Sequence, residues 1–192
     1  MDRTQRANRA VAAWVAEVVG GQPASRRYTG EKAGQQVSIA RFNDRPQKGV
    51  TTYATLGLSD TRVPRRVEPP LGTEILGVCD TAATDFPKIL GVIAFRAQTD
   101  GRSCEPDEIF DNVVPSGMSV TLRHAILVPQ FLWDDDAFDS RVIDYKTVAW
   151  LLAVPITDAE RQYAFDHGPD ELQTIFEEVQ IDIFDPRRPS AV

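Results

Sequence analysis

Histidine and cysteine are scarce in this chain, with two of each in 192 residues. Cys79, Cys104, His124 and His167 share none of the paired spacings from which structural zinc sites are built, so neither a metal nor any other cofactor is expected. No G-x-S-x-G step is present to expose a serine nucleophile, and no phosphate-binding or dinucleotide-binding glycine motif occurs. The common routes to acyl transfer, nucleotide hydrolysis and hydride transfer are therefore unsupported. Long apolar runs are also missing, since a membrane span needs roughly twenty such residues in succession. The first twenty-one residues contain arginines but no continuous apolar region followed by a cleavage pattern, so no secretory signal is expected. A cytoplasmic location is expected, with both cysteines reduced and used as small apolar side chains.

Charge is present, and unevenly divided. Residues 1–66 hold twelve Lys or Arg against five Asp or Glu, and residues 67–192 hold nine against twenty-three, so a +7 part precedes a −14 part. So acidic a surface repels nucleic acid phosphates and steers basic proteins toward it. A protein partner is expected, with no nucleic acid and no membrane.

Apolar residues at helical intervals from Thr4 to Val19, closed by Gly20 and Gly21, predict an amphipathic helix. A loop is expected after it, up to residue 35. Gln36 to Phe42 and Val50 to Leu56 read as a hairpin, and Thr61 to Gly72 as an exposed loop before a strand at Glu74 to Cys79. Thr84 or Asp85 is expected to cap a helix whose buried face carries Phe86, Ile89, Leu90, Ile93 and Ala97. Ala125 to Val128, closed by Pro129, reads as an interior strand. Val148 to Val154 has no charge and no alternation, which suits a central strand covered on both faces, ended by Pro155. Thr157 with Glu160 forms a capping box, Gly168 ends that helix, and Pro169 opens another, with Leu172, Ile175, Phe176 and Val179 on its apolar stripe. No internal repeat or linker divides the chain, so the fold class expected is α+β: one domain with a mixed, mainly antiparallel sheet flanked by helices.

Two stretches fall outside this regular pattern. Thr99 to Arg123 is a long irregular connection, of the kind that often carries function. Asp134, Asp135 and Asp136 form an acidic loop without the alternating ligands and glycine of a calcium-binding loop. His124, beside the irregular segment, is the one candidate for an acid–base residue, and a hydrolase using it with a carboxylate is the enzyme reading to be tested.

Several blocks share a wording. GLSD at Gly57 to Asp60, TEILGVCD at Thr73 to Asp80, DFPKIL at Asp85 to Leu90, LLAVPITDAE at Leu151 to Glu160 and DPRRPSAV at Asp185 to Val192 occur in this order. Together they resemble the Suppressor of fused domain family in its short bacterial form, over residues 36–192. The resemblance implies a non-catalytic binding protein. Eukaryotic members hold a transcription factor through an extended peptide, and bacterial members are commonly immunity proteins that neutralise toxin domains, so a cognate toxin, such as a nuclease, is the partner expected. The resemblance also implies a groove aspartate at Asp107 in SCEPDE, where Pro106 stands in place of the family glycine, and it aligns a groove tyrosine with Ala97. The partner-binding residues expected are Asp107, Glu108 and Asp111 in the irregular segment and Asp134, Asp135 and Asp136 in the acidic loop. A housekeeping interaction module with another partner shares the same resemblance.

Overall fold

The computed structural model describes residues 2–32, 34–61 and 69–192. Most of the loop expected at Thr61 to Gly72 lies outside the described residues. Within them the chain forms eight strands and four helices: α1 (Arg3–Val19), β1 (Ala24–Thr29), β2 (Gln36–Asn43), β3 (Val50–Leu56), β4 (Leu71–Asp80), α2 (Pro87–Asp100), β5 (Ile109–Phe110), β6 (Leu122–Pro129), β7 (Arg141–Ile143), β8 (Lys146–Thr157), α3 (Asp158–His167) and α4 (Pro169–Val179). One sheet runs in the order β1-β2-β3-β4-β8-β6-β5, with β7 pairing onto β8. Among the described residues only the β4–β8 pairing is parallel, so the sheet is mixed and mainly antiparallel.

Strand alternation builds two cores from one sheet. Trp150, Leu152, Val154 and Ile156 of β8 face one side, where they meet Val11, Trp14 and Val15 of α1 and Leu172 and Phe176 of α4. Leu151 and Ala153 face the other, against Ile89, Leu90 and Ile93 of α2. The apolar run Val148 to Val154 is therefore covered on both faces, as its composition predicts. Phe86 stacks on Tyr53 across the α2 side with ring centroids 5.8 Å apart.

The helix boundaries in the last third follow the sequence closely. Thr157 Oγ1 accepts from the Glu160 amide at 3.1 Å, and Glu160 Oε2 accepts from the Thr157 amide at 2.8 Å, completing the capping box. Gly168 sits at φ 102°, a conformation that favours glycine, between the last residue of α3 and Pro169 at the start of α4.

Four expectations need correction. Pro155 does not end β8, which continues to Thr157. β4 leaves β8 at Leu152, so Pro155 needs no amide hydrogen for that side, and its carbonyl instead accepts from Arg188 Nη2 at 3.0 Å. Residues 24–29, expected as loop, form the edge strand β1. Neither Thr84 nor Asp85 caps α2; Phe86 precedes it in helical geometry, and tight turns such as Phe86 N–H to Ala83 O, 3.1 Å, lead into the helix. Val179 is 54 % exposed and lies off the buried stripe of α4, which consists of Leu172 and Phe176.

Candidate functional site

The GLSD turn is explained by a buried carboxylate. Gly57 at φ 97° starts a 3-10 turn at Leu58–Asp60, and Glu74 of β4 accepts from the amides of Gly57 (2.8 Å), Leu58 (3.2 Å) and Ser59 (3.1 Å). Thr55 Oγ1 and Ser59 Oγ also donate to it, at 2.6 and 2.7 Å. Burial pushes the Glu74 carboxyl up, while these donors pull it back down. Lys146, 1 % exposed, continues the network by donating to Ser59 Oγ (2.7 Å), Asp60 Oδ1 (2.6 Å) and Asn8 Oδ1 (3.0 Å). Burial acts to raise the Asp60 carboxyl, but hydrogen bonds from Lys146, Asn8 and Tyr145 outweigh it and hold the group below the usual range. This network ties α1, the turn, β4 and β8 together as scaffold.

Between α2 and β6 the chain forms only the two-residue strand β5, and contacts order the rest of residues 101–121. Cys104, Phe110 and Val113 are buried in the α2-side core. β5 lies at the end of the sheet, and the carbonyls of Ile109 in it and of Asp111 just after it already accept, from Arg102 Nη2 (3.1 Å) and from Arg96 Nη1 (2.5 Å). This sheet edge is blunted by arginines.

The six predicted carboxylates fall into two groups. Asp107, Glu108 and Asp111 lie together beside β5, and their negative charges are not equally free. Arg102 pairs with Glu108, and Arg161 pairs with Asp111 through Nη2 at 3.2 Å and through Nε. The Arg161 guanidinium holds the Asp111 carboxyl below its usual range. Asp107, at φ 70°, accepts from Gln173 of α4 at 2.9 Å. Asp134, Asp135 and Asp136 lie on a separate, exposed turn that follows β6.

His124 is buried, at 4 % exposure, with both ring nitrogens engaged. Nε2 is 2.8 Å from Asp158 Oδ1, and Nδ1 accepts from the Asn112 amide at 3.2 Å and lies 3.2 Å from Asp111 Oδ1. His124 lines none of three surface cavities of about 710, 570 and 260 Å³. Among the described residues, no group of three or more His, Cys, Asp or Glu is placed to hold a metal ion, and no helix is long and apolar enough to cross a membrane.

The largest of the three cavities is a groove that sequence reasoning did not single out. Its floor is Val128 at the end of β6, Val154 of β8 and Phe176 of α4; Phe131 and the chain beyond α4, through Ile181 and Ile183, form its walls. Gln173 lines it and also binds Asp107, so the groove and the predicted aspartate adjoin. No periodicity in the sequence marks it, because its wall residues lie in two irregular segments.

Against known proteins, the family model for the Suppressor of fused protein matches residues 34–189. The chain belongs to the Suppressor of fused family. Immunity protein YqcF of Bacillus subtilis is 36 % identical over 187 residues, covering 96 % of this chain and 97 % of that protein. Among solved structures, a Suppressor of fused homolog from Neisseria gonorrhoeae superposes over 100 % of this chain and 98 % of its own, with TM-score 0.68 and 18 % identity. Drosophila Suppressor of Fused gives 0.67 at 14 % identity over 97 % of this chain and 51 % of that one. A chain of a Sufu–Fu complex gives 0.67 at 14 % identity, covering 97 % of this chain and 92 % of that one. The α+β class read from the sequence is thus the Suppressor of fused fold. The blocks that carry the resemblance correspond to physical units here. GLSD and TEILG meet at Glu74, and ITDAE meets DPRRPSAV where Glu160 binds Arg188. Ala97, expected from the resemblance to stand at a groove tyrosine's position, is 2 % exposed in the α2-side core.

Proposed function

We propose that this chain is a non-catalytic immunity-type protein that neutralises a cognate toxin by binding it directly. The observation that carries this reading is its 36 % identity, over nearly the whole length of both chains, to Immunity protein YqcF. The charge distribution supports it further. The −14 of residues 67–192 favours a basic partner surface, such as the nucleic-acid-binding face of a nuclease toxin, and gives fast, salt-sensitive association. The Sufu–Fu complex supports the coarser part of the reading, that members of this fold engage other proteins.

The test is co-expression with the product of the neighbouring gene. Growth rescue together with a complex that survives size-exclusion chromatography is the expected result. Toxicity without rescue, and no complex, would remove the immunity reading. A stable complex with a non-toxic product would instead assign the chain to housekeeping interactions.

A further inference from the structure

We infer that the groove between β6 and α4 receives an apolar or aromatic side chain that a partner protein presents between lysines or arginines. The inference rests on the protein-binding reading above and deepens it by naming the surface and the chemistry of its occupant.

Three observations point to this occupant. The first is shape: about 710 Å³ of concave surface lies over Val128 and Val154, each 3 % exposed, and Phe176, with Phe131 standing 58 % exposed at the rim. An aromatic ring left open beside an apolar floor is the usual form of an anchor pocket at the centre of an interface. The second is charge. Glu177 and Asp182 line the groove, and no lysine or arginine does. Its two framing segments repeat the sign: residues 130–139 hold four aspartates and residues 169–185 six carboxylates, with no Lys or Arg in either. A rim of one sign around an apolar floor selects an anchor with cationic flanks.

The third is rigidity. The floor is sheet and helix, and the far wall is pinned where Phe184 O accepts from the Asp80 amide at 2.8 Å and Ile181 N–H donates to Phe176 O at 3.1 Å. A preformed groove loses little entropy on binding. The sheet edge at β5, by contrast, has the carbonyls of Ile109 and Asp111 occupied by arginines, which disfavours addition of a peptide strand there.

The experiment has two arms. In the first, a labelled twelve-residue peptide with a central Trp-Leu pair and flanking lysines is titrated into the full chain, beside the same peptide with glutamates as flanks. The lysine peptide is expected to bind at least tenfold more tightly, and Phe131→Ser or the pair Glu177→Gln and Asp182→Asn to remove that preference. Equal binding of the two peptides, or a preference that survives both variants, overturns the inference. So does an apolar ligand bound without salt dependence, or a dimer of this chain formed through the groove and dissociated by Phe131→Ser.

In the second arm, the same variants are measured against the neighbouring gene's product. Phe131→Ser is expected to raise the dissociation rate more than tenfold while the melting temperature holds. A wild-type complex that neither variant weakens overturns the groove and leaves the immunity reading standing. If the wild type forms no complex with that product, the immunity reading falls and the peptide arm decides the groove alone.

Discussion

Arg188 grips both carboxylate oxygens of Glu160, Nη1 to Oε1 at 2.5 Å and Nη2 to Oε2 at 2.9 Å, with the two residues only 4 % and 0 % exposed. The same guanidinium reaches Pro155 O and lies over the Phe176 ring, 5.3 Å from its centroid, and Glu160 also closes the capping box of α3. One buried pair therefore joins the end of β8, the start of α3, the face of α4 and the final segment. Arg188→Met strands a buried carboxylate, a change that costs about 3–5 kcal/mol. For a domain of this size that lowers the melting temperature by roughly 6–20 °C. Adding Glu160→Gln, which still serves a capping box, is expected to recover much of the loss. Thermal unfolding followed by circular dichroism measures both steps, and additive losses in the double variant would show that the pair is not coupled.

A second pair, buried Lys146 with half-buried Asp60, gives a pH prediction. Asp60 ionises more readily in the folded chain than in the unfolded one, because Lys146, Asn8 and Tyr145 all donate to it. A carboxyl whose folded value is depressed contributes stability that is complete above its unfolded value and is lost as pH falls through the folded one. With an unfolded value near 3.9, that contribution is complete above about pH 5 and fades below about pH 4. Urea midpoints for the wild type and Asp60→Asn are therefore expected to differ at pH 6 and to converge toward pH 3. A constant difference across that range would show that the Asp60 charge is not what stabilises the fold.

How far the fold can be read from sequence depends on which residues face the core. Strand β8 and helices α3 and α4 were legible because burial on two faces imposes an apolar run and because helix ends demand particular caps. β1 was not legible: Ser25, Arg26 and Arg27 are exposed, and backbone pairing to β2 alone makes the segment a strand. Pro155 was misread because a local rule, that proline ends a strand, ignores the partner; the strand continues where one neighbour has already departed. The candidate site was legible only as scattered carboxylates. Which of them are neutralised depends on Arg102 and Arg161, whose approach is tertiary. The groove was invisible for the same reason, since Phe131 and Ile181 are fifty residues apart in the chain and share no period.

Both cysteines are expected to be inert in the native state. Burial pushes each thiol up to about 12, helped by Asp80 beside Cys79 and by Glu108 beside Cys104. Since the thiolate is the nucleophile, iodoacetamide at pH 8 is expected to leave both unmodified over an hour and to label both in guanidinium chloride. Mass spectrometry reads the outcome; native-state labelling of Cys104 would mean that the segment before β5 opens on that timescale.

The acidic loop separates a steering role from a structural one. Asp134, Asp135 and Asp136 are exposed, and no ion pair among the described residues involves them, whereas Asp111 is held by Arg161 and beside His124. Replacing the three loop aspartates with asparagine is therefore expected to leave the melting temperature within about 1 °C, as is usual for surface changes. Against a basic partner it is expected to slow association roughly tenfold at low salt, with the rates converging as salt rises and dissociation barely altered. Asp111→Asn is expected to do the reverse, lowering stability through the lost Arg161 pairing while leaving the association rate nearly unchanged, because its charge is already compensated. Stopped-flow association across a salt series distinguishes the two. If Asp111→Asn slows association as much as the triple variant, the surface that meets the partner is centred on β5, and the loop beside the groove is a bystander.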